Sequence, residues 1–146
     1  MIVACKSSSV TNKKLDRSFQ VAIKGNWEIT TVTYPGSDYI KVNSFDLADS
    51  KCFVGSQWEF VSNNNKGNIT LKSASCTGYN SAITWFINKE RQFVMKILDE
   101  GLKSKKVRTG FVLGVDNQSE TSFQLIDKIA VGGKMIDVVY QFQKIN

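Results

Sequence analysis

Apolar residues recur at every second position along most of this chain, in short runs broken by polar turns. That period of two is the signature of strands with one buried face. Eight segments carry it: "GNWEITTVTY", "SQWEFVS", "NITLKSA", "AITWFIN", "QFVMKILDE", "KVRTGFVLGV", "TSFQLID" and "MIDVVYQFQK". The separators are rich in turn formers: "NNNKGN", "NKER", "DNQSE" and "VGGK". Links of this length join antiparallel neighbours, because a parallel pair needs a crossover of a dozen residues or more.

The alternation also assigns faces. One face gathers Trp58, Phe60, Ile69, Leu71, Ile83, Trp85, Ile87, Phe93, Met95, Ile97, Phe111, Leu113, Phe123, Leu125, Ile136, Val138, Tyr140 and Phe142, while Lys, Glu, Gln and Thr take most of the other. A single large sheet hides such a face by closing on itself, which also removes its exposed edges. A two-sheet sandwich is the rival arrangement, and hairpin-only connectivity favours closure. Two stretches break the rhythm. "LDRSFQVAI" places Leu15, Phe19, Ala22 and Ile23 at helical spacing and predicts a short turn of helix over one end of the sheet. "NSFDLADSKCFVG" makes a long connection with helix-compatible residues from Ser44 to Ser50. The expected fold is therefore all-β, an eight-stranded up-and-down antiparallel barrel with a short N-terminal helical turn.

Length and composition fit that picture. With 146 residues, 42% of them hydrophobic and 22% charged, the chain has the makings of one folded domain. No run of about 18 apolar residues is present to span a bilayer. The net charge of +6 comes almost entirely from lysine, with arginine only at Arg17, Arg91 and Arg108. Such a charge suits an anionic surface or ligand, but lacks the arginine stripe of a nucleic-acid binder, and none is expected as a partner. The densest basic stretch, "KSKKVR", reads as a solvated loop, as do Asp99 and Glu100 beside it. Histidine is absent altogether, which removes the commonest general base and the commonest metal ligand. The three cysteines form no CxxC pair, so neither metal nor other cofactor is expected.

Near the N-terminus, "IVAC" resembles the bacterial lipobox, whose cysteine is lipidated and becomes the mature N-terminus; Cys5 holds that position. Only four residues precede it, and a lipoprotein signal needs a charged and apolar segment there, which implies an upstream start or a trimmed chain. The polar "KSSSVTNKK" that follows has the composition of a tether. On this resemblance residues 1–5 are the remnant of a signal, 6–18 a flexible tether and 19–146 the barrel. The protein is then expected in the cell envelope, lipid-anchored to the outer membrane of a Gram-negative bacterium on its periplasmic or surface face. With Cys5 given to lipid, Cys52 and Cys76 remain as a natural disulfide pair of an exported domain; two reduced, buried cysteines are the other reading.

"GNW" at Gly25 to Trp27 resembles the GxW signature of lipocalins. The ordered set "GNWEI", "KCFVGSQWEF", "NNNKGNITL", a cysteine before "ITWFI" and a final "YQFQK" is similar to small bacterial lipocalin-like lipoprotein domains over roughly residues 20–145. The resemblance implies that Trp27 plugs the closed end of the barrel beneath a late-strand cation. No arginine follows Arg108, and Lys144 is the cation placed to stand in. It also implies a small hydrophobic ligand or lipid inside the barrel, against Trp58, Phe60, Trp85, Phe93, Met95, Phe111, Phe123, Tyr140 and Phe142.

An eight-stranded barrel has room for side chains or one small ligand. Large inward residues are as compatible with a filled core as with a lined cavity, so two functions stay open. One is a ligand-binding barrel; the other is a frame that acts on a protein partner through its surface and loops. Catalysis is not expected. The common nucleophile and phosphate-loop motifs are missing, and only carboxylates such as Asp46, Asp49 and Glu59 are on offer. Gly110 and Gly114 in "TGFVLG" read as a barrel bend or bulge.

Overall fold

The computed structural model describes residues 20–37, 41–45, 47–98 and 110–145. Cys5, the tether, Leu15, Phe19, Asp46, Asp99, Glu100 and the "KSKKVR" stretch lie outside them. Eight strands close into one antiparallel barrel in which each strand pairs with its neighbours in the chain and the last returns to the first. They are β1 (Gly25–Thr33), β4 (Gln57–Val61), β5 (Lys66–Leu71), β6 (Tyr79–Ile87), β7 (Phe93–Ile97), β8 (Phe111–Asp116), β9 (Ser122–Val131) and β10 (Lys134–Lys144). The barrel is an up-and-down meander behind a helical turn at residues 20–22.

Alternation holds around the whole circuit, and the face assigned to the inside is buried throughout, with Phe111 partly so. One irregularity serves that burial. The β1–β10 register slips between Ile29 and Thr31, and the bulge allows both Ile29 and Val32 to point inward. Turn chemistry sets the hairpins. Gly132 and Gly133 form the two-residue link of β9 and β10 with φ of 57° and 82°, the mirror-image turn that matches strand twist and that residues with a Cβ adopt at a cost. At the β6–β7 turn the Asn88 carboxamide oxygen accepts a hydrogen bond from the Gln92 amide at 2.9 Å.

Because the strands run up and down, the two ends of the barrel differ in what closes them. At the closed end Trp27 is fully buried, and its indole N–H donates to the Ile23 carbonyl at 2.9 Å. Lys144, the β10 partner of Trp27, holds its ammonium 5.7 Å from the indole centroid. Lysine thus occupies the place that the lipocalin resemblance gives to a late-strand cation.

The connection from β1 to β4 crosses the opposite end, the mouth. Its described residues between Ser44 and Asp49 are not helical: they belong to a small hairpin of β2 (Asn43–Ser44) and β3 (Ala48–Asp49), followed by a 3-10 turn at Ser50–Phe53. The Asp49 carboxylate starts that turn by accepting from the Lys51 amide at 2.9 Å. Tertiary contacts override helix propensity here. The Ser44 hydroxyl bonds the Tyr140 hydroxyl, and Phe45 turns its ring into the barrel. Cys52 and Cys76 form a disulfide that ties this connection to the β5–β6 link.

Candidate functional site

The inward side chains form a continuous web of rings along the barrel axis. From the closed end, Trp27 meets Phe123 at 4.7 Å between centroids, and Phe123 stacks on Phe142 at 4.6 Å. Phe142 meets Trp58 edge-on at 5.2 Å, and Phe60 reaches Trp85 at 5.3 Å and Phe93 at 5.6 Å. Edge-to-face and offset contacts at these distances are the favourable geometries of aromatic pairs. Each of the three tryptophans also satisfies its N–H: Trp58 donates to Ser56 Oγ and Trp85 to the Lys66 carbonyl. Of the residues that the sequence proposes for a ligand, eight are therefore buried (Trp58, Phe60, Trp85, Phe93, Met95, Phe123, Tyr140 and Phe142) and Phe111 is half-buried at the mouth.

At the mouth the web ends on a residue that the strand pattern does not point to. Phe45, at the tip of the β2–β3 hairpin, is 4% exposed and packs against Phe53, Trp58, Phe111 and Tyr140. Its φ is 55°, in the left-handed region that a bulky side chain occupies only under constraint. Phe45 is a stopper, held by its ring contacts against its backbone preference. Beside the hairpin a cleft of about 330 Å³ opens to solvent between Leu47 and Ala48 on one side and Leu71, Cys52, Cys76 and Tyr79 on the other.

Polar groups collect in the same layer. Tyr34 and Ser50 share a buried hydrogen bond, as do Ser44 and Tyr140. Burial, more than any other effect, raises the Tyr140 phenol far above its usual range; the Ser44 bond opposes the shift, and the charges of Asp127 and Tyr34 add to it. Asp127, at the inward phase of β9, has its carboxyl pushed up to about 6 by burial, against the opposing pull of the Lys128 amide. Sequence reading missed Phe45, Tyr34 and Asp127. For Asp127 a signal existed: the alternation of "SFQLID" runs on through Ile129 and Val131, so the aspartate belongs to the strand and to its inner face.

Of the carboxylates considered for catalysis, the two among the described residues, Asp49 and Glu59, serve other places. Asp49 caps the 3-10 turn, and Glu59 lies exposed on the outer face of β4. Gly110 has φ of 75° with Met95 and Lys96 against it, a tight bend at the start of β8, whereas Gly114 lies within the strand.

No protein-family model matches this chain, and no curated protein matches it in sequence. Two solved structures resemble it in backbone path: the odorant-binding protein from bovine nasal mucosa and bovine odorant binding protein complexed with its natural ligand. Each gives a TM-score of 0.46 at 14% identity and covers 86% of this chain and 72% of its own.

Proposed function

We propose that this chain is a binding protein for a small hydrophobic molecule, taken up at the barrel mouth where the Phe45 ring now sits. The observation that carries the reading is Phe45 itself. A large ring held at φ 55° between Phe111, Trp58 and Tyr140 is a plug whose withdrawal relieves backbone strain and vacates a ring-sized, aromatic-lined space. Buried hydroxyls at its edge supply the few convergent polar groups that orient a ligand in an apolar site.

Dye uptake tests the reading. The wild-type protein binds N-phenyl-1-naphthylamine with a rise in fluorescence, and Phe45→Ala binds it about tenfold more tightly, because the ligand no longer competes with the plug for the binding-competent state. Absence of uptake by both proteins, each folded by circular dichroism, would refute it.

The same proposal extends to location. Cys5 carries a lipid anchor that holds the barrel at the outer membrane of a Gram-negative envelope. Mass spectrometry of the product of the full natural reading frame expressed in a bacterial host is expected to find diacylglycerol on an N-terminal Cys5, and an unmodified cytosolic product would defeat this part. The continuous ring web favours a second reading, in which the barrel is a filled frame whose surface meets a protein partner. That reading predicts no dye uptake even by Phe45→Ala, and a specific partner in pull-downs from envelope extract.

A further inference from the structure

One carboxylate stands on the inner face of the barrel wall. On β9 the inward positions are Phe123, Leu125 and then Asp127, whose cross-strand partner on β10 is the fully buried Val138. Tyr140, two residues along β10, carries the hydroxyl that bonds Ser44, and Tyr34 lies near enough to act on the same phenol. Asp127 thus shares the mouth layer with two tyrosine hydroxyls and the Phe45 plug.

Among the described residues no cation pairs with Asp127; the ion pair of this hairpin joins Lys128 to Asp137 at 3.0 Å on the outer face. Lys51, a cation beside the Tyr34 hydroxyl layer, donates to the Val32 carbonyl at 3.0 Å and lies 4.8 Å from the Tyr34 ring. With a carboxyl pKa of about 6, Asp127 is ionised at neutral pH and bears a desolvation cost there, which a bound cation would offset.

We propose that Asp127, with the hydroxyls of Tyr140 and Tyr34, is an anionic subsite that selects ligands with a protonated amine, the apolar part of the amphiphile lying where Phe45 packs against Phe111 and Tyr140. This assignment rests on the ligand-binding reading above and narrows it to cationic amphiphiles. An ionised carboxylate only accepts hydrogen bonds, so an ammonium satisfies it with a charge-assisted bond, an alcohol with a weaker neutral one, and a fatty acid anion meets repulsion. The surrounding rings add attraction for a cation and none for an anion.

Calorimetric titration of the full chain with decylamine, decanol and decanoate, below their aggregation limits at pH 7.5, tests it. Decylamine is expected to bind about tenfold more tightly than decanol, the worth of one charge-assisted bond, with decanoate weakest. Asp127→Asn brings the amine-to-alcohol ratio close to one, and Asp127→Glu retains the preference. Equal affinity of amine and alcohol in the wild type, or a ratio unchanged in Asp127→Asn, overturns the subsite and leaves the mouth as a binding site. If none of the three ligands binds, the ligand-binding reading falls and the subsite with it.

Discussion

Phe60→Ala is expected to lower the unfolding free energy by about 3–5 kcal/mol, the usual loss for removing a fully buried phenylalanine ring. Phe60 is 1% exposed and touches Trp58, Trp85, Phe93 and Phe142, so one ring links strands β4, β6, β7 and β10 across the interior. The surrounding wall has little freedom to collapse into the void. Opposite Phe60 stands Gly67, where a Cβ would lie 2.2 Å from the Glu59 carbonyl oxygen, so the β4 and β5 backbones are already at closest approach. A cavity that cannot relax retains its full cost, which places this substitution toward the upper end of the range. Phe60→Leu keeps most of the volume and is expected to cost about 1–2 kcal/mol. Urea unfolding followed by tryptophan fluorescence reads both values, and a loss below about 1 kcal/mol for alanine would mean that the rings do not act as one core.

The barrel was legible in the sequence because its physics is local and repeated. Alternation and turn residues placed all eight strands, and the lipocalin resemblance pointed to the Trp27–Lys144 closure, with Lys144 as the cation near the chain end. Two failures came from residues that act outside a local rule. "NSFDL" has helix-compatible composition, and only the hydroxyl of Tyr140, nearly a hundred residues later, and the rings of the mouth explain why Ser44 and Phe45 turn inward instead. No window of sequence around Phe45 contains Phe111 or Tyr140. Asp127 was lost for the opposite reason. A charge on the apolar phase reads as the end of a strand, whereas β9 runs four residues further to Val131. A charge at a core-facing position of a long strand is costly in fold terms, and that cost is what made it informative about binding.

Removing the Cys52–Cys76 disulfide by the double change to alanine should lower stability by about 3 kcal/mol, and its effect on the mouth should exceed its effect on the barrel wall. The global loss is set by chain entropy: the bond joins residues 24 apart, and releasing a closed loop of that size enlarges the unfolded ensemble by about this amount. The local effect follows from what the loop contains. Cys52 belongs to the 3-10 turn whose next residue, Phe53, packs on both Phe45 and Tyr140. Without the bond, the hairpin that carries the plug is held to the barrel by the Ser44–Tyr140 and Tyr34–Ser50 hydrogen bonds, by the bonds of Lys51, Gly55 and Ser56 to β1 further along the connection, and by ring contacts, while Phe45 still bears its unfavourable φ. Local opening therefore becomes easier there than in the strands, whose ladders the disulfide does not span. Thermal unfolding reads the first effect and hydrogen exchange the second, with protection expected to fall across residues 43–56 while β9 and β10 keep theirs. If the plug is the gate to the binding site, the same variant takes up hydrophobic dye more readily than the wild type. Uniform loss of protection over the whole barrel would instead assign the disulfide to global stability alone and separate it from the mouth.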